Sequence, residues 1–372
     1  MEITAALLSG INQPFETTLL ELDEPQSNEV LVRLAASGVC ASDAHTRSGR
    51  IPSPLPSVLG HEGAGVVVAV GPNVAHVVPG DHVALSWMPS CGECRHCRSG
   101  RPVLCTVAAP YVLAGTMFDG TVRLHNGGHQ VHHYSFLSTF ATHTVVPAAS
   151  AIKIDKDVPL AVAALIGCAV LTGYGAVVNR AQVRPGSSVA IFGGGGVGLS
   201  AVMGAKLSGA EKIIVIDPVE AKREGALEFG ATNSLAPGDD IADRVRELTD
   251  GFGVDYAIDA VGFPGILSQA FNATIPGGTI VCVGVPAVDA RPDLPGPQLV
   301  RQEKIITGSL YGSSRPALDI PLIAKLFMGG QLPLDKLITK TYELDHINTA
   351  FDDMQAGLLN RGVIILDKEI AW

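Results

Sequence analysis

The sequence lacks three features that would assign a function class at once: a run of basic residues, an export signal and an internal repeat. Only 17% of its 372 residues are charged, and the formal net charge is −10. This acidic balance argues against nucleic acid or an anionic membrane surface as the main partner. Residues 1–4 have neither the charged nor the apolar segment of a signal peptide, which predicts a cytoplasmic protein.

Hydrophobic residues make up 47% of the chain, and its length predicts about two domains. Residues 158–178 carry no charge and are long enough to cross a membrane. However, this segment contains Pro159 and many small residues, and no aromatic belt or basic flank accompanies it. We therefore expect a buried helix and no membrane partner.

Four of the seven cysteines lie within fifteen residues, in a C-x2-C-x2-C-x7-C pattern. These cysteines are Cys91, Cys94, Cys97 and Cys105. Four thiolates complete the tetrahedral shell of a structural zinc. An iron–sulfur cluster is the rival, but the ferredoxin-type run places its fourth cysteine after three residues and follows it with proline. Here Thr106 follows, which favours zinc; two disulfides would also use four cysteines, but a reducing compartment disfavours them.

The first 150 residues show short β-type alternation broken by prolines, which predicts a β-rich barrel or sandwich. Residues 111–143 show little periodicity, and we predict a polar loop there. Four histidines in this stretch leave a second metal site as the alternative. They are His125, His129, His132 and His133.

From Ser187 onward the pattern changes to alternating strands and helices. Predicted strands cover residues 188–192, 212–217, 255–259 and 279–284, and predicted helices cover 199–207 and 218–229. Such alternation indicates a parallel sheet with helices on both faces, so the fold class is α/β. Near the end, residues 320–327 and 347–357 are predicted helices, and the strand 363–366 is expected to pair back into the first domain.

A glycine-rich turn lies between the first predicted strand and helix of this region. Gly193 would allow the tight turn, Gly195 the approach of a pyrophosphate, and Gly198 close packing of helix on strand. Asp217 ends the next strand, where its carboxylate can bond the ribose hydroxyls and repel a 2′-phosphate. The pattern predicts a dinucleotide site that prefers NAD over NADP; a plain glycine turn with a capping aspartate is the alternative.

Three cysteines lie outside the cluster. Cys282 stands in an apolar strand and is expected to be a core thiol. Cys40 and Cys168 could join His61 in a Cys2His set with an open fourth position, as in catalytic zinc sites. Spacing alone does not establish this set, and Cys168 taken in isolation is expected to be a core residue.

These motifs together resemble the zinc-dependent medium-chain alcohol dehydrogenases. The resemblance covers nearly the whole chain, and it is carried by residues 40–45, 60–65, the four-cysteine cluster, 166–168, 172–175, 193–198 and Arg361. It implies a GroES-like catalytic domain, residues 1–169 and 312–372, around a Rossmann NAD-binding domain, residues 170–311. It also implies two zinc ions per subunit, one catalytic and one structural.

The resemblance assigns roles to individual residues. The catalytic zinc would be held by Cys40, His61 and Cys168, with Glu62 close behind it, Asp43 orienting His61, Ser42 and His45 forming a proton relay, and Trp87 lining the substrate pocket. NAD would contact Thr172, Val197 and Gly196 near the nicotinamide and its phosphates, Lys222 beside the ribose, and Arg361 at the pyrophosphate.

The implied reaction is reversible hydride transfer from a primary alcohol, aromatic alcohols included, to NAD, which gives an aldehyde. A glutathione-dependent formaldehyde dehydrogenase is an alternative, but Ala109, Gly49 and Ile51 stand where that branch has charged residues. Ala41 replaces a basic residue that faces the cofactor phosphates in many relatives. An enzyme with permanently bound NAD and a non-catalytic NAD-binding redox sensor are two further possibilities.

An exposed edge strand is expected near residues 300–308. With the resemblance, this edge predicts a homodimer, although tetramers also occur in the family.

Overall fold

The computed structural model describes residues 1–263, 265–286 and 290–372. The chain divides into two compact units. The first comprises Met1–Cys168 and Arg315–Trp372, and the second comprises Ala169–Ser314.

The described strands are numbered in chain order. The first ten are β1 (Glu2–Leu8), β2 (Glu16–Leu22), β3 (Glu29–Val39), β4 (Ser57–Val58), β5 (Gly63–Val70), β6 (His82–Leu85), β7 (Leu124–Asn126), β8 (His129–His133), β9 (His143–Pro147) and β10 (Ala151–Lys153). The others are β11 (Ser188–Phe192), β12 (Lys212–Ile216), β13 (Asn233–Leu235), β14 (Val254–Asp259), β15 (Thr274–Cys282), β16 (Ile305–Gly308), β17 (Ile338–Glu343) and β18 (Arg361–Ile365).

The α-helices are also numbered in chain order. They are α1 (Ala41–Arg47), α2 (Arg95–Arg98), α3 (Ala109–Ala114), α4 (Leu160–Leu165), α5 (Leu171–Gly175), α6 (Gly196–Leu207), α7 (Glu220–Phe229), α8 (Ile241–Glu247), α9 (Ile266–Ala273), α10 (Gly296–Arg301), α11 (Pro316–Met328) and α12 (Ile347–Gln355).

The first unit is built on β3, which is rich in valine, leucine and alanine and is buried along almost its whole length. Such a strand fits the centre of a sheet covered on both faces. It pairs with β5, β9 and β18 in a seven-stranded sheet. The antiparallel pairing of β18 with β3 confirms that the closing strand returns to the first unit. Strands β1, β2, β7, β8 and β4 form a closed barrel.

The second unit is a six-stranded parallel sheet in the order β13-β12-β11-β14-β15-β16. Counted from β11, this is the 3-2-1-4-5-6 order of a Rossmann fold, in which a dinucleotide binds where the order reverses. The order reverses between β11 and β14, and the glycine-rich turn directly follows β11. The predicted α/β class with a β-rich domain and a doubly wound parallel sheet is confirmed.

One helical segment, Leu160–Ala181, is apolar and long enough to cross a membrane by length and composition alone. However, 83% of its most apolar window is buried inside the protein. This agrees with the predicted buried helix. Residues 166–170 and 176–181 of the segment are π-helical, a form common at functional sites.

The prediction of a polar loop over residues 111–143 is wrong. This stretch contains most of α3 and the barrel strands β7 and β8, and His125, His129, His132 and His133 belong to those strands. Histidines and turn residues mask the strand pattern because each strand is at most five residues long. Among the described residues these histidines form no metal-binding group with other donors.

Candidate metal centres and cofactor site

The four clustered cysteines come together as one donor set. The ligand atoms of Cys91, Cys94, Cys97 and Cys105 all lie within 4.8 Å of one another. The Sγ of Cys97 is 3.5 Å from that of Cys94 and 3.9 Å from that of Cys91. Four thiolates at a zinc–sulfur distance of about 2.3 Å would lie about 3.8 Å apart, so these separations fit zinc.

Backbone amides around the cluster stabilise thiolate charge. The N–H of Cys94 donates to the Sγ of Cys91 at 3.3 Å, and the N–H of Cys91 donates to the Sγ of Cys105 at 3.4 Å. N–H groups of Cys97 and Thr106 lower the pKa of Cys94 to about 5. Burial and the neighbouring Cys94 raise the pKa of Cys97 to about 12. Several thiolates so close together therefore need a cation to stabilise their charge.

A second donor set lies deeper in the first unit. Its members are Cys40, His61, Glu62 and Cys168, whose ligand atoms also lie within 4.8 Å of one another. They come from separate parts of the sequence: the N-cap of α1, the two residues before β5 and the π-helical turn. Two thiols, one imidazole and one carboxylate are a donor set typical of zinc.

Helix α1 brings Asp43 against His61. The Nδ1 of His61 is 3.1 Å from the Oδ1 of Asp43, which also accepts the backbone N–H of Gly60 at 3.0 Å. With Nδ1 engaged, the Nε2 of His61 is the nitrogen free for a metal. Burial opposes protonation of His61, but the charges of Asp43 and Cys40 outweigh it and raise its pKa. The negative charges of Asp43 and Cys40 beside His61 would also attract a metal cation to this site.

Glu62 and Arg361 form a fully buried ion pair behind the second donor set. The Nη2 of Arg361 donates to Glu62, whose other oxygen, Oε1, has no hydrogen-bond partner among the described residues. Burial raises the pKa of Glu62 to about 7, and Arg361 opposes that rise. A buried oxygen without a partner beside two thiols fits a bound cation. The predicted contact of Arg361 with a pyrophosphate stays a prediction.

Ser42 and His45 lie three residues apart on α1, so they share one face of the helix. Both side chains are half-buried. Burial and the charge of Arg50 lower the pKa of His45, which keeps its imidazole neutral and able to accept a proton. Trp87, after β6, packs against the apolar core around β3, and its part in a substrate pocket stays a prediction.

The glycine turn of the second unit has the predicted geometry. Gly193 has a φ of +101°, which favours glycine. A Cβ on Gly198 would overlap the carbonyl oxygen of Gly193, whereas a Cβ on Gly195 would meet no atom of the described residues within 4 Å. Thus Gly198 is required by packing, and Gly195 leaves open space at the N-terminus of α6, where Gly196 and Val197 form the first turn.

Asp217 ties this turn to the end of β12. Its Oδ2 accepts the N–H of Gly194 at 2.7 Å, and its Oδ1 accepts the N–H of Val219 at 2.8 Å. Lys222 lies on α7, where its Cβ is near Gly194. The N–H of Gly194 was missed from the sequence because that glycine lies outside the three fingerprint positions.

Thr172 lies on α5, next to Gly173. A Cβ on Gly173 would overlap the carbonyl oxygen of Val197, so these two predicted cofactor neighbours lie on closely packed segments.

Tyr134 and Thr46 were also missed from the sequence. The ring of Tyr134 packs edge-on against His61, with centroids 5.6 Å apart. Its hydroxyl accepts a hydrogen bond from Thr46 at 3.0 Å. No motif marks Tyr134, because it lies 73 positions after His61 in the region that lacks periodicity.

Two family models match the chain. The alcohol dehydrogenase GroES-like domain matches residues 26–156, and the zinc-binding dehydrogenase domain matches residues 196–325.

Individual proteins are similar over nearly the full length. The NDMA-dependent alcohol dehydrogenase of Amycolatopsis methanolica is 41% identical over 372 residues, covering 98% of this chain and 99% of that protein. The geraniol dehydrogenase of Castellaniella defragrans is 39% identical over 366 residues, covering 97% of each. The crystal structure of benzyl alcohol dehydrogenase from Acinetobacter calcoaceticus superposes with a TM-score of 0.94 at 36% identity, covering 99% of this chain and 100% of that one.

Proposed function

Because this chain belongs to the zinc-dependent medium-chain alcohol dehydrogenases, we propose that it oxidises a primary alcohol, aromatic alcohols included, to an aldehyde with NAD as hydride acceptor. The observation that carries the proposal is the donor set of Cys40, His61, Glu62 and Cys168 beside α1, in which the first three residues are buried. It combines a metal-binding donor set with a helix that bears a hydroxyl and a neutral imidazole on one face.

Several residues of the first unit would have distinct roles in the reaction. Cys40, His61 and Cys168 would hold zinc, whose chemistry is to stabilise negative charge on the alcohol oxygen. Asp43 fixes the tautomer of His61. Ser42 would take the hydroxyl proton of the alcohol and His45 would pass it on, a transfer that helps most when the imidazole is neutral at working pH.

We further propose two zinc ions per subunit, with the second held by Cys91, Cys94, Cys97 and Cys105. This site is closed by four thiols and leaves no position for a substrate, so its role would be structural. Metal analysis of the purified protein should give two zincs per chain.

The substrate class is supported by relatives that bear the names of particular alcohols. Benzyl alcohol and geraniol are both primary alcohols whose carbinol carbon adjoins an sp² carbon. Turnover of benzyl alcohol should therefore exceed turnover of S-hydroxymethylglutathione, and Cys40→Ser should abolish it. Activity on the glutathione adduct alone would favour the formaldehyde dehydrogenase alternative instead.

The preference for NAD rests on Asp217. Its carboxylate is fixed by two backbone N–H groups and would repel a 2′-phosphate. We expect Asp217→Asn to lower the ratio of kcat/KM for NAD over NADP at least about tenfold, or about 1.4 kcal/mol. Glu220→Gln, which removes an exposed charge on α7, is the matched control and should leave the ratio unchanged.

Permanently bound NAD is a second candidate, favoured by the similarity to a protein named NDMA-dependent alcohol dehydrogenase. NAD(H) that stays with the protein through dialysis, together with turnover that free NAD does not support, would establish it. Release of all NAD during dialysis would exclude it.

A homodimer and a cytoplasmic location are also proposed. Strand β16 is the edge of the parallel sheet, and its Ile305 is 54% exposed. Light scattering should give twice the mass of one chain, and Ile305→Lys should lower it; a monomeric wild type would contradict the dimer. Reduced thiols in both donor sets fit a reducing compartment, which cell fractionation can test.

A further inference from the structure

Helix α1 carries most of the proposed chemistry, yet it is short. It spans seven residues, its N-cap is the metal-binding candidate Cys40, and it has no side-chain cap hydrogen bond. Helices this short are not stable alone, so contacts outside the helix must fix its position. Asp43 supplies one such contact, through His61 and Gly60.

Tyr134 supplies a second contact, through Thr46 one turn further along the helix. The hydroxyl of Thr46 donates to the Tyr134 hydroxyl at 3.0 Å, and the Tyr134 hydroxyl donates to the carbonyl oxygen of Ser42 at 3.4 Å. The Thr46 hydroxyl lies 3.1 Å from the same carbonyl, so the three oxygens form a closed triangle. Thr46 is 3% exposed and Tyr134 is 8% exposed, so water does not replace these bonds readily.

The backbone after Tyr134 has an unusual conformation. Ser135, Phe136 and Ser138 all have positive φ, a conformation that residues other than glycine rarely adopt. The N–H of Tyr134 donates to the Ser138 hydroxyl at 3.1 Å. Such strain persists where the surrounding structure enforces it, and it is concentrated at functional sites.

The same loop is attached to the segment that precedes His61. The N–H of Thr139 donates to the carbonyl of Gly60 at 3.0 Å, and the N–H of Phe140 donates to the carbonyl of Leu59 at 3.1 Å. Tyr134 thus reaches from the His61 segment to α1, with its ring against the imidazole and its hydroxyl on the helix.

From these contacts we propose that Tyr134, through Thr46, is a positioning residue that sets the place of Ser42 relative to His61. This inference rests on the proposed proton transfer through Ser42. Tyr134 itself takes no proton in the reaction. Its hydroxyl holds the backbone of Ser42, so that the serine side chain keeps its reach to a substrate oxygen near His61.

The test uses Tyr134→Phe, which keeps the ring against His61 and removes the hydroxyl, and Thr46→Val, which removes its partner at nearly equal volume. A proton-transfer group is typically worth roughly 10²–10⁴ in rate, and a displaced one loses part of this. We expect each variant to lower kcat for benzyl alcohol about tenfold, with KM within about twofold and an altered pH profile of kcat.

The double variant gives a sharper readout than either single one. Because both side chains act through one set of bonds, Tyr134→Phe with Thr46→Val should be no slower than Thr46→Val alone. Tyr342→Phe is the matched control: Tyr342 is also buried in the first unit, and its lost 2.6 Å bond to Asp353 joins β17 to α12 rather than to α1. It should keep the wild-type kcat.

The outcomes separate the inference from the proposed function. If Ser42→Ala kept the wild-type kcat, the proposed proton transfer through Ser42 would be wrong, and so would the positioning role that rests on it. Slow Ser42→Ala with normal Tyr134→Phe would overturn only the positioning role. Loss of zinc from Tyr134→Phe would also overturn it, because the ring and hydroxyl would then act as support for His61. Additive losses in the double variant would show that the two residues act separately.

Discussion

At the scale of single residues, the burial of a side chain determines its role more than its place in a sequence pattern does. His133 belongs to a group of four histidines that suggested metal binding, but it is fully buried at the end of β8. Its Nε2 accepts the backbone N–H of Arg123 at 3.0 Å. Burial and the charge of Arg123 lower the pKa of His133 to about 3, so it stays neutral as a barrel residue.

This shift predicts a loss of stability in acid. An unfolded histidine binds a proton near pH 6.5, whereas folded His133 binds one only near pH 3, so unfolding is favoured as the pH falls from about 6.5 toward 3. Between pH 7 and pH 5 the cost is about 2 kcal/mol. His133→Gln keeps an acceptor for Arg123 and should flatten this decline, as urea unfolding at equal zinc content can measure. Equal slopes for both proteins would contradict the assignment.

At the scale of elements, the glycine turn contains two positions, Gly195 and Gly198, at which alanine should affect the melting temperature differently. A Cβ on Gly198 would overlap the carbonyl of Gly193, so Gly198→Ala should lower the melting temperature of the protein freed of cofactor and also weaken NAD binding. A Cβ on Gly195 meets none of the residues that the structure describes, so Gly195→Ala should weaken NAD binding while the melting temperature without cofactor stays unchanged.

Gly225→Ala provides the control for this comparison. Gly225 lies inside α7 with nothing within 4 Å of an added Cβ, and alanine there should stabilise the helix by about 0.5–1 kcal/mol. Calorimetry without cofactor and NAD titration of the three variants make the measurement. If Gly195→Ala bound NAD as tightly as the wild type does, the turn would not approach a phosphate.

Elements with strong local patterns were predicted well from the sequence. Strand β11 was predicted at its observed bounds, and β14 and α12 within one or two residues, because buried parallel strands and amphipathic helices have clear periodicity. Strands β7 and β8 were missed, since three to five residues with histidines and glycines show no period. Tyr134 and the π-helical turn at Cys168 depend on tertiary contacts that no local pattern records.

At the scale of the whole molecule, the two donor sets differ in how the chain forms them. The four clustered cysteines lie within fifteen residues of sequence, so their spacing alone predicts a metal site. Cys40, His61 and Cys168 come together only through β3, β5 and the π-helical turn, and the resemblance rather than their spacing indicated them. Of residues 91–105, only Val103 and Cys105 are buried, so this segment has almost no core of its own.

A segment without a core depends on its metal for its fold. Cys97→Ser should therefore halve the zinc content and lower the melting temperature by several degrees, while the rate of hydride transfer per remaining zinc stays within about twofold of wild type. Cys168→Ser should do the reverse, retaining the zinc of the four-cysteine cluster and losing activity by at least about 100-fold. Metal analysis, calorimetry and single-turnover kinetics with deuterated benzyl alcohol distinguish the two. A stable Cys97→Ser protein with two zincs and a changed hydride-transfer rate would mean that the four-cysteine cluster takes part in the chemistry, against the closed geometry of its four thiols.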